Sequence, residues 1–387
     1  MLLLIPGPVA TRPEVKAVMA ADYAPWDEEF RALYAGLRER LLHTAEVDPQ
    51  VHAALVLQGC GHFGMEAVIR SLVPEGGRLL VPLTGAYAAR LVRLAREVGR
   101  VPVELPIDQT QPLDPALVRR ALEVDPTITH AGLVYSETST GVVHDPVAVG
   151  RAVREAGRQS IIDAVSAFGA LPLPLAEMPE AAAAVFTSNK CLEGMPGLCV
   201  TIARHAAMAQ AVPARSWSFD LGDVWRHNQG RGAGAFRFTP PAQSVAALDV
   251  AVRLFAQEGR AARLARYSEN ARVLRDGMEQ IGLQPWLSQA VQGPIVTNIH
   301  APDDPAWTLQ GFVEALKARG FLISNFYDTA QPSFRIGCIG QVWPEDMRRF
   351  AQAADAALQE LGVRQRAAAG AAAHSAAAHS AAHSAAA

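Results

Sequence analysis

The sequence predicts an α/β protein in which a mostly parallel sheet is covered on both faces and followed by a smaller α+β unit. Two observations carry the first part. Six apolar runs of strand length, HAALVLQG (52–59), RLLVPL (78–83), HAGLVYSE (130–137), SIIDAV (160–165), AAVFTS (183–188) and LCVTIA (198–203), are near-continuously hydrophobic. Strands buried on both faces have that character, whereas half-exposed strands alternate. Helix-like segments separate these runs: GMEAVIRSLV, AYAARLVRLAREVG, DPALVRRALEV and DPVAVGRAVREAG. A third observation marks the second part. From about Leu248 a long helical region (248–281) leads to GPIVTNIHA, LQGFVEALKARG, FLISNF, SFRIGCIG and a closing helix from Pro344 to Leu361. The expected division is therefore a large unit over 16–247 and a connecting helix with a small domain over 248–366.

Composition narrows the function. The 387 residues are long enough for two domains, and half of them are apolar, so a sizeable core is expected. The net charge of -3, with both signs interspersed, argues against a nucleic-acid or anionic-membrane partner. Cys60, Cys191, Cys199 and Cys338 have no metal-ligand spacing and suggest a reduced compartment without disulfides. The opening MLLLIPGPVATRPEV is too short in its apolar stretch for a signal-peptide core, and no run reaches membrane-spanning length. A soluble cytoplasmic protein is expected. The stretch from Ala367, AAAGAAAHSAAAHSAAHSAAA, is low-complexity and is read as a loose tail.

Ligands of open parallel α/β sheets bind beyond the carboxyl ends of the strands, so the polar residues at those positions are the candidates. After the first run comes QGCGHFGMEAV, with Gly59, Gly61 and Gly64 before a helix; free N–H groups at a helix start suit a phosphate. After the second comes TGAYAAR, which puts Tyr87 at a helix start, and after the third a hydroxyl cluster, SETSTG, with Glu137. Asp163 ends an otherwise apolar strand, where it needs a cationic or hydrogen-bonding partner unless it caps a helix. Lys190 comes 27 residues later, at the end of the run 183–188. A lone lysine after a strand is ordinarily solvated. Taken together, these positions fit one ligand: a phosphate for the glycine turn, a ring for Tyr87, a ring nitrogen for Asp163 and an aldehyde for Lys190. That ligand is pyridoxal 5'-phosphate.

Over nearly the whole chain, from LLLIPGPV to about residue 362, the sequence resembles the fold-type I, class V aminotransferases, and among them the branch that moves an amino group from 2-aminoethylphosphonate to pyruvate. PWDEEF, VLQGCGHFGMEAV, TGAYAARL, DPTITHAGLVYSETSTGV, IIDAVSAFG, SNKCLEGMPG, FRFTPP and FRIGCIG carry the likeness. The resemblance implies a seven-stranded sheet, an N-terminal segment (1–15) reaching the active site, and a homodimer with shared sites. It implies Lys190 as the Schiff-base lysine, Asp163 as the pyridinium partner, Tyr87 as the stacking aromatic, and Thr138 at the cofactor's phenolic oxygen. Cys60, Gly61 and His62 fall in the phosphate cup, and Thr239 matches a threonine that reaches the neighbouring subunit's cofactor. Arg335 matches the arginine that grips the substrate's acid group.

Departures from the family pattern fall at the substrate side and the cup. Cys60-Gly61-His62 stands where Ser-Gly-Ser/Thr is usual, IPGP where TPGP is usual, RFTPPAQ (237–243) for RFTSPTH, and SNFYD (324–328) for a segment containing YPGK. His62 can replace the missing hydroxyl as a donor, stack on the ring or fill space. A change toward negative charge at 324–328 bears on which amino donor fits. Another aminophosphonate, or alanine or serine with glyoxylate or pyruvate, is the alternative within the class. A lyase or desulfurase is disfavoured, because the obvious thiol, Cys338, lies in an apolar strand-like run.

Overall fold

A computed structural model describes residues 1–230, 234–326, 329 and 331–367. The rest of the tail, and Tyr327 and Asp328 of the 324–328 stretch, lie outside the described residues. The strands are β1 (Leu2–Leu3), β2 (His52–Gln58), β3 (Arg78–Pro82), β4 (Val101–Leu105), β5 (Ile128–Val134), β6 (Gln159–Asp163), β7 (Ala181–Thr187), β8 (Leu198–Arg204), β9 (Val296–His300), β10 (Phe321–Leu322) and β11 (Ser333–Gly337). The helices are α1 (Pro13–Ala17), α2 (Glu28–Thr44), α3 (Gly61–Leu72), α4 (Ala86–Glu97), α5 (Pro115–Val124), α6 (Pro146–Glu155), α7 (His205–Ala209), α8 (Leu221–Gln229), α9 (Ala242–Glu258), α10 (Arg260–Gln280), α11 (Leu309–Ala318) and α12 (Pro344–Glu360).

The large sheet has seven strands in the order β2-β8-β7-β6-β5-β3-β4, and only β8 runs antiparallel to its neighbours. Its central strands are near-continuously apolar because helices cover both faces; every residue of β7 is buried. Phe186 of β7 stacks on Phe168 with ring centroids 3.6 Å apart. The seventh strand, β4, has no counterpart among the apolar runs. Its sequence, VPVEL, carries a proline and a glutamate, tolerable only at an edge, where one side of the ladder needs no donors.

Parallel pairing places Asp163 opposite Val134 and Val185. The carboxyl ends of β5, β6 and β7 therefore open onto the same edge, bringing the turns after 134, 163 and 187 together. The helical region expected over 248–281 is two helices, not one. It starts at Ala242 and breaks at Gly259, whose φ of 81° ends α9.

Beyond α10, β9 and β11 form an antiparallel pair with Arg335 opposite Asn298, over a core that includes Phe312, Phe334 and Phe350. A short parallel pairing of Leu2 and Leu3 with Phe321 and Leu322 docks the start of the chain here. The following residues run along β11: the Gly337 N–H donates to the Leu4 carbonyl (2.8 Å) and the Gln341 N–H to the Ala10 carbonyl (2.9 Å). The same segment touches the large sheet, where the Val9 N–H meets the Asn189 carbonyl at 3.3 Å. No helix among the described residues is long and apolar enough to cross a membrane.

This crossing depends on close backbone approach. A Cβ on Gly337 would stand 2.3 Å from the Ile5 carbonyl oxygen, a backbone atom that cannot swing aside. Gly337→Ala is therefore expected to lower stability by about 1–3 kcal/mol and to speed protease cleavage within residues 2–10. Urea unfolding and limited proteolysis measure both, and an unchanged midpoint with unchanged cleavage would mean the segment is not held in this way.

Candidate active site

Lys190 is not a solvated loop residue. It is 8% exposed, in a turn closed by the Glu193 N–H on the Lys190 carbonyl (2.8 Å) and by the Ser188 hydroxyl on the Met195 carbonyl (2.5 Å). The N-terminal segment covers its side chain so closely that a Cβ on Gly7 would lie 2.6 Å from Lys190 Cδ. Burial drives the amine's pKa down to about 8, and the Arg335 and Arg90 charges act in the same direction. Near neutral pH a usable fraction is therefore the free base, the form that attacks an aldehyde.

Asp163, the last residue of β6, accepts the Val165 N–H at Oδ1 (3.0 Å). Burial pushes its carboxyl up to about 6; the Glu137 carboxylate adds to this, while Lys190 and Arg90 oppose it. Lys190 and Asp163 line one cavity of about 200 Å³ together with Cys60, Gly61, His62 and Tyr87. Six of the positions singled out in the sequence thus share a single space.

Two helix starts frame that cavity. At α3, Cys60 provides no side-chain cap, and the N–H groups of Gly61 and His62 have no intrahelical acceptor. Burial, with Arg90 and Arg93 nearby, lowers the His62 pKa, which favours the neutral ring, a donor through one nitrogen only. At α4 the fully buried Glu137 is the cap. Its carboxylate accepts from the N–H groups of Tyr87 (3.3 Å) and Ala88 (3.4 Å), from the Ser139 hydroxyl (2.5 Å) and N–H (3.1 Å), and from Thr84 Oγ1 (3.2 Å). An acidic group at a helix start also complements the dipole. Glu137, read in the sequence only as part of a hydroxyl cluster, thereby fixes Tyr87.

Among the lining residues that the sequence reading did not single out, one is charged. Arg90 sits three residues after Tyr87, its guanidinium carbon 4.6 Å from the ring centroid, and it too faces the cavity. The (i, i+3) spacing on an amphipathic helix was the available signal.

Thr138, Arg335 and Thr239 are not among the residues lining this cavity. Arg335, buried on β11, reaches the same turn, donating from Nη1 to the Thr138 carbonyl (3.3 Å), and its guanidinium lies 4.7 Å from the Phe326 ring centroid. Its β9 neighbour Asn298 donates to the Ser139 carbonyl (2.8 Å), so β9 and β11 both hold the 138–139 turn. The Thr138 hydroxyl bonds the Ser166 hydroxyl at 2.5 Å. Thr239 is exposed. Cys338 is buried, and its thiol is pushed up to about 12 by desolvation, which leaves it unreactive.

A buried amine of lowered pKa, a carboxyl group on the neighbouring strand end, an aromatic ring and an uncapped helix start form the donor set that pyridoxal 5'-phosphate requires. The residues fit that group.

Comparison with known proteins agrees. The family described as aminotransferase class-V matches residues 27–309. The chain is 39% identical over 96% of its length to a 2-aminoethylphosphonate–pyruvate transaminase of Burkholderia lata, covering 98% of that protein. It is 40% identical over 93% of its length to the enzyme of that name from Pseudomonas fluorescens, covering 96% of it. Among solved structures, pyridoxamine–pyruvate aminotransferase from Mesorhizobium loti superposes with a TM-score of 0.86 at 26% identity, over 94% of this chain and 93% of that one.

The lowered amine pKa has a kinetic signature. When pyridoxal phosphate is added to the cofactor-free protein, the rate of its capture by Lys190 is expected to climb with pH and level off near 8, as the free-base fraction saturates. Stopped-flow absorbance tracks it. A rate still climbing tenfold per unit at pH 9–10 would mean that Lys190 titrates as an ordinary lysine.

Proposed function

The chain belongs to the class-V aminotransferases and is a pyridoxal-phosphate-dependent transaminase, and on that premise we propose that it moves the amino group of 2-aminoethylphosphonate to pyruvate, giving phosphonoacetaldehyde and L-alanine. The observation that carries the chemistry is the meeting of buried Lys190 and Asp163 in one cavity. The donor is inferred from relatives that match end to end and bear that activity in their names. We propose a homodimer working in the cytoplasm, with a large domain over 16–247, a connecting and small domain over 248–366, and residues 1–15 reaching the site.

Bound pyridoxal phosphate supplies an electron sink for the carbanion at the donor's Cα. The residues do the rest. Lys190 Nζ would hold the cofactor through its aldehyde and, when free, would move the proton at the donor's Cα. Asp163, its carboxyl pushed up to about 6 by burial, would face the ring nitrogen and would take its charged form beside a cationic ring, favouring a proton there. Tyr87 covers one ring face, held there by Glu137. The N–H groups of Gly61 and His62 receive the phosphate, with Cys60 leading into the turn and the His62 ring as donor in place of a hydroxyl. Thr138 serves the phenolic oxygen, and exposed Thr239 serves the phosphate in the partner subunit. Arg335 anchors the phosphonate in one half-reaction and the carboxylate of pyruvate in the other, since a guanidinium fork suits both.

Phe326 favours a second reading for the donor alone. Its ring, in the stretch that departs from the family pattern, faces the Arg335 guanidinium, and a different neighbour for the anchor suits a substituted aminophosphonate.

The test is an absorbance scan of the holoenzyme without acceptor. A band near the visible edge is expected to bleach with 2-aminoethylphosphonate and return with pyruvate; bleaching only by alanine or serine would overturn the donor. Lys190→Ala should abolish turnover. Arg335→Ala should raise KM for both acid substrates about 10–100-fold, and an effect on one half-reaction only would overturn the shared anchor.

A further inference from the structure

Three residues past Lys190, the chain contains an ionic cluster that the chemistry above does not use. Glu193 has a φ of 58°, a left-handed conformation that a non-glycine residue keeps only where its surroundings hold it. Its surroundings do so. Glu193 Oε1 accepts from Arg266 Nη2 (2.8 Å) and the Tyr267 hydroxyl (2.5 Å), and Oε2 accepts from the Gln341 amide. Glu258 pairs with both Arg263 (2.6 Å) and Arg266 (2.8 Å). Two carboxylates thus face two guanidiniums, with Glu193, Arg263, Arg266 and Tyr267 all buried.

The cluster also grips backbone on both sides of the active site. Arg263 Nη1 donates to the Cys191 carbonyl (2.7 Å), in the turn that carries Lys190. Arg266 Nη1 donates to the Gly340 carbonyl (2.6 Å), and the Gly340 N–H donates to the Tyr267 hydroxyl (3.2 Å). Gly340 lies five residues after Arg335. The strand that leads to Lys190 and the strand that carries Arg335, β7 and β11, belong to different sheets and are bridged by the backbone of residues 4–10 and by this cluster of side chains.

We propose that Glu193 is a positioning residue that, through Arg266, Tyr267 and Gln341, fixes the span from Lys190 to Arg335 and so selects amino donors by the distance between their amine and their acid group. This rests on the roles given above to Lys190 and Arg335. Lys190 sets where the amine-bearing carbon reacts, and Arg335 sets where the acid group ends. A span held by a charge-balanced buried cluster admits one spacer length. Removing the Glu193 carboxylate leaves two buried guanidiniums on one carboxylate, an imbalance the cluster relieves by moving apart.

The test compares holoenzymes of the wild type, Glu193→Gln and Glu193→Ala on 2-aminoethylphosphonate and on 3-aminopropylphosphonate, one carbon longer. The readouts are first-half-reaction kcat/KM by single-turnover absorbance, and amide hydrogen exchange over 188–195 and 337–343. In Glu193→Ala the preference for the shorter donor is expected to fall about tenfold, the worth of roughly one methylene of discrimination, with exchange rising in both segments. Glu193→Gln, which keeps an acceptor oxygen and the side-chain shape, should retain more of the preference. A lower melting temperature with an unchanged donor ratio, or faster exchange in 188–195 alone, would overturn the proposal. If the alanine variant does not fold, the glutamine variant decides: an unchanged ratio there overturns it. If the wild type accepts neither phosphonate, the donor reading fails on its own, and the same ratio is taken between the amine it does accept and that amine's one-carbon-longer homologue.

Discussion

The removal of the Lys190 amine from water is the constraint that the rest of the site answers to. Its pKa falls from 10.5 to about 8, a differential penalty on the charged form of about 3 kcal/mol. Asp163, on the adjacent strand end, is displaced the opposite way, from 3.8 to about 6. The folded chain therefore binds a proton at Lys190 more weakly than the unfolded chain, and this group's contribution to stability rises with pH between about 8 and 10.5. At Asp163 the folded chain binds its proton more tightly, so stability falls as pH rises between 3.8 and about 6. Both groups sit uneasily without a ligand. A ligand that brought a cation to Asp163 and an aldehyde to Lys190 would relieve both at once.

Several features sustain this arrangement. Parallel register brings the ends of β5, β6 and β7 to one edge. Glu137, tied to five donors, stiffens the start of α4 and with it Tyr87 and Arg90. Arg335 and Asn298 hold the 138–139 turn from the opposite side. No single side chain makes the cavity; its lining comes from the turns that follow β2, β3, β6 and β7.

Much of this was legible in the sequence because parallel α/β sheets concentrate function at strand ends, so Lys190, Asp163, Tyr87 and the 60–62 turn could be found from the polar residues at the end of each apolar run. The features that escaped depend on partners distant in the chain. The strand β4, with Pro102 and Glu104, has no apolar signature because it ends the sheet, with a strand on one side of it only among the described residues. Glu137 reads as one polar residue among hydroxyls until α4 is placed over it. The Glu193 cluster joins residues from 193 to 341, and nothing local marks a glutamate that two arginines and a tyrosine will surround. The break at Gly259 was the reverse case, a local signal in plain view between two helical stretches.

The N-terminal segment has a consequence for biosynthesis. Leu2 pairs with Phe321, about 320 positions further along the chain, and the glycines that receive residues 4–10 lie at 337 and 340. During synthesis the large sheet can assemble around Lys190 while the segment that covers the lysine still has nowhere to dock. The nascent protein thus passes through a stage in which its reactive amine is formed but uncovered, and the last strand to emerge is the one that closes it. Contacts of such long sequence separation form late, so the cover over Lys190 is expected to be the last part of the cavity wall to settle.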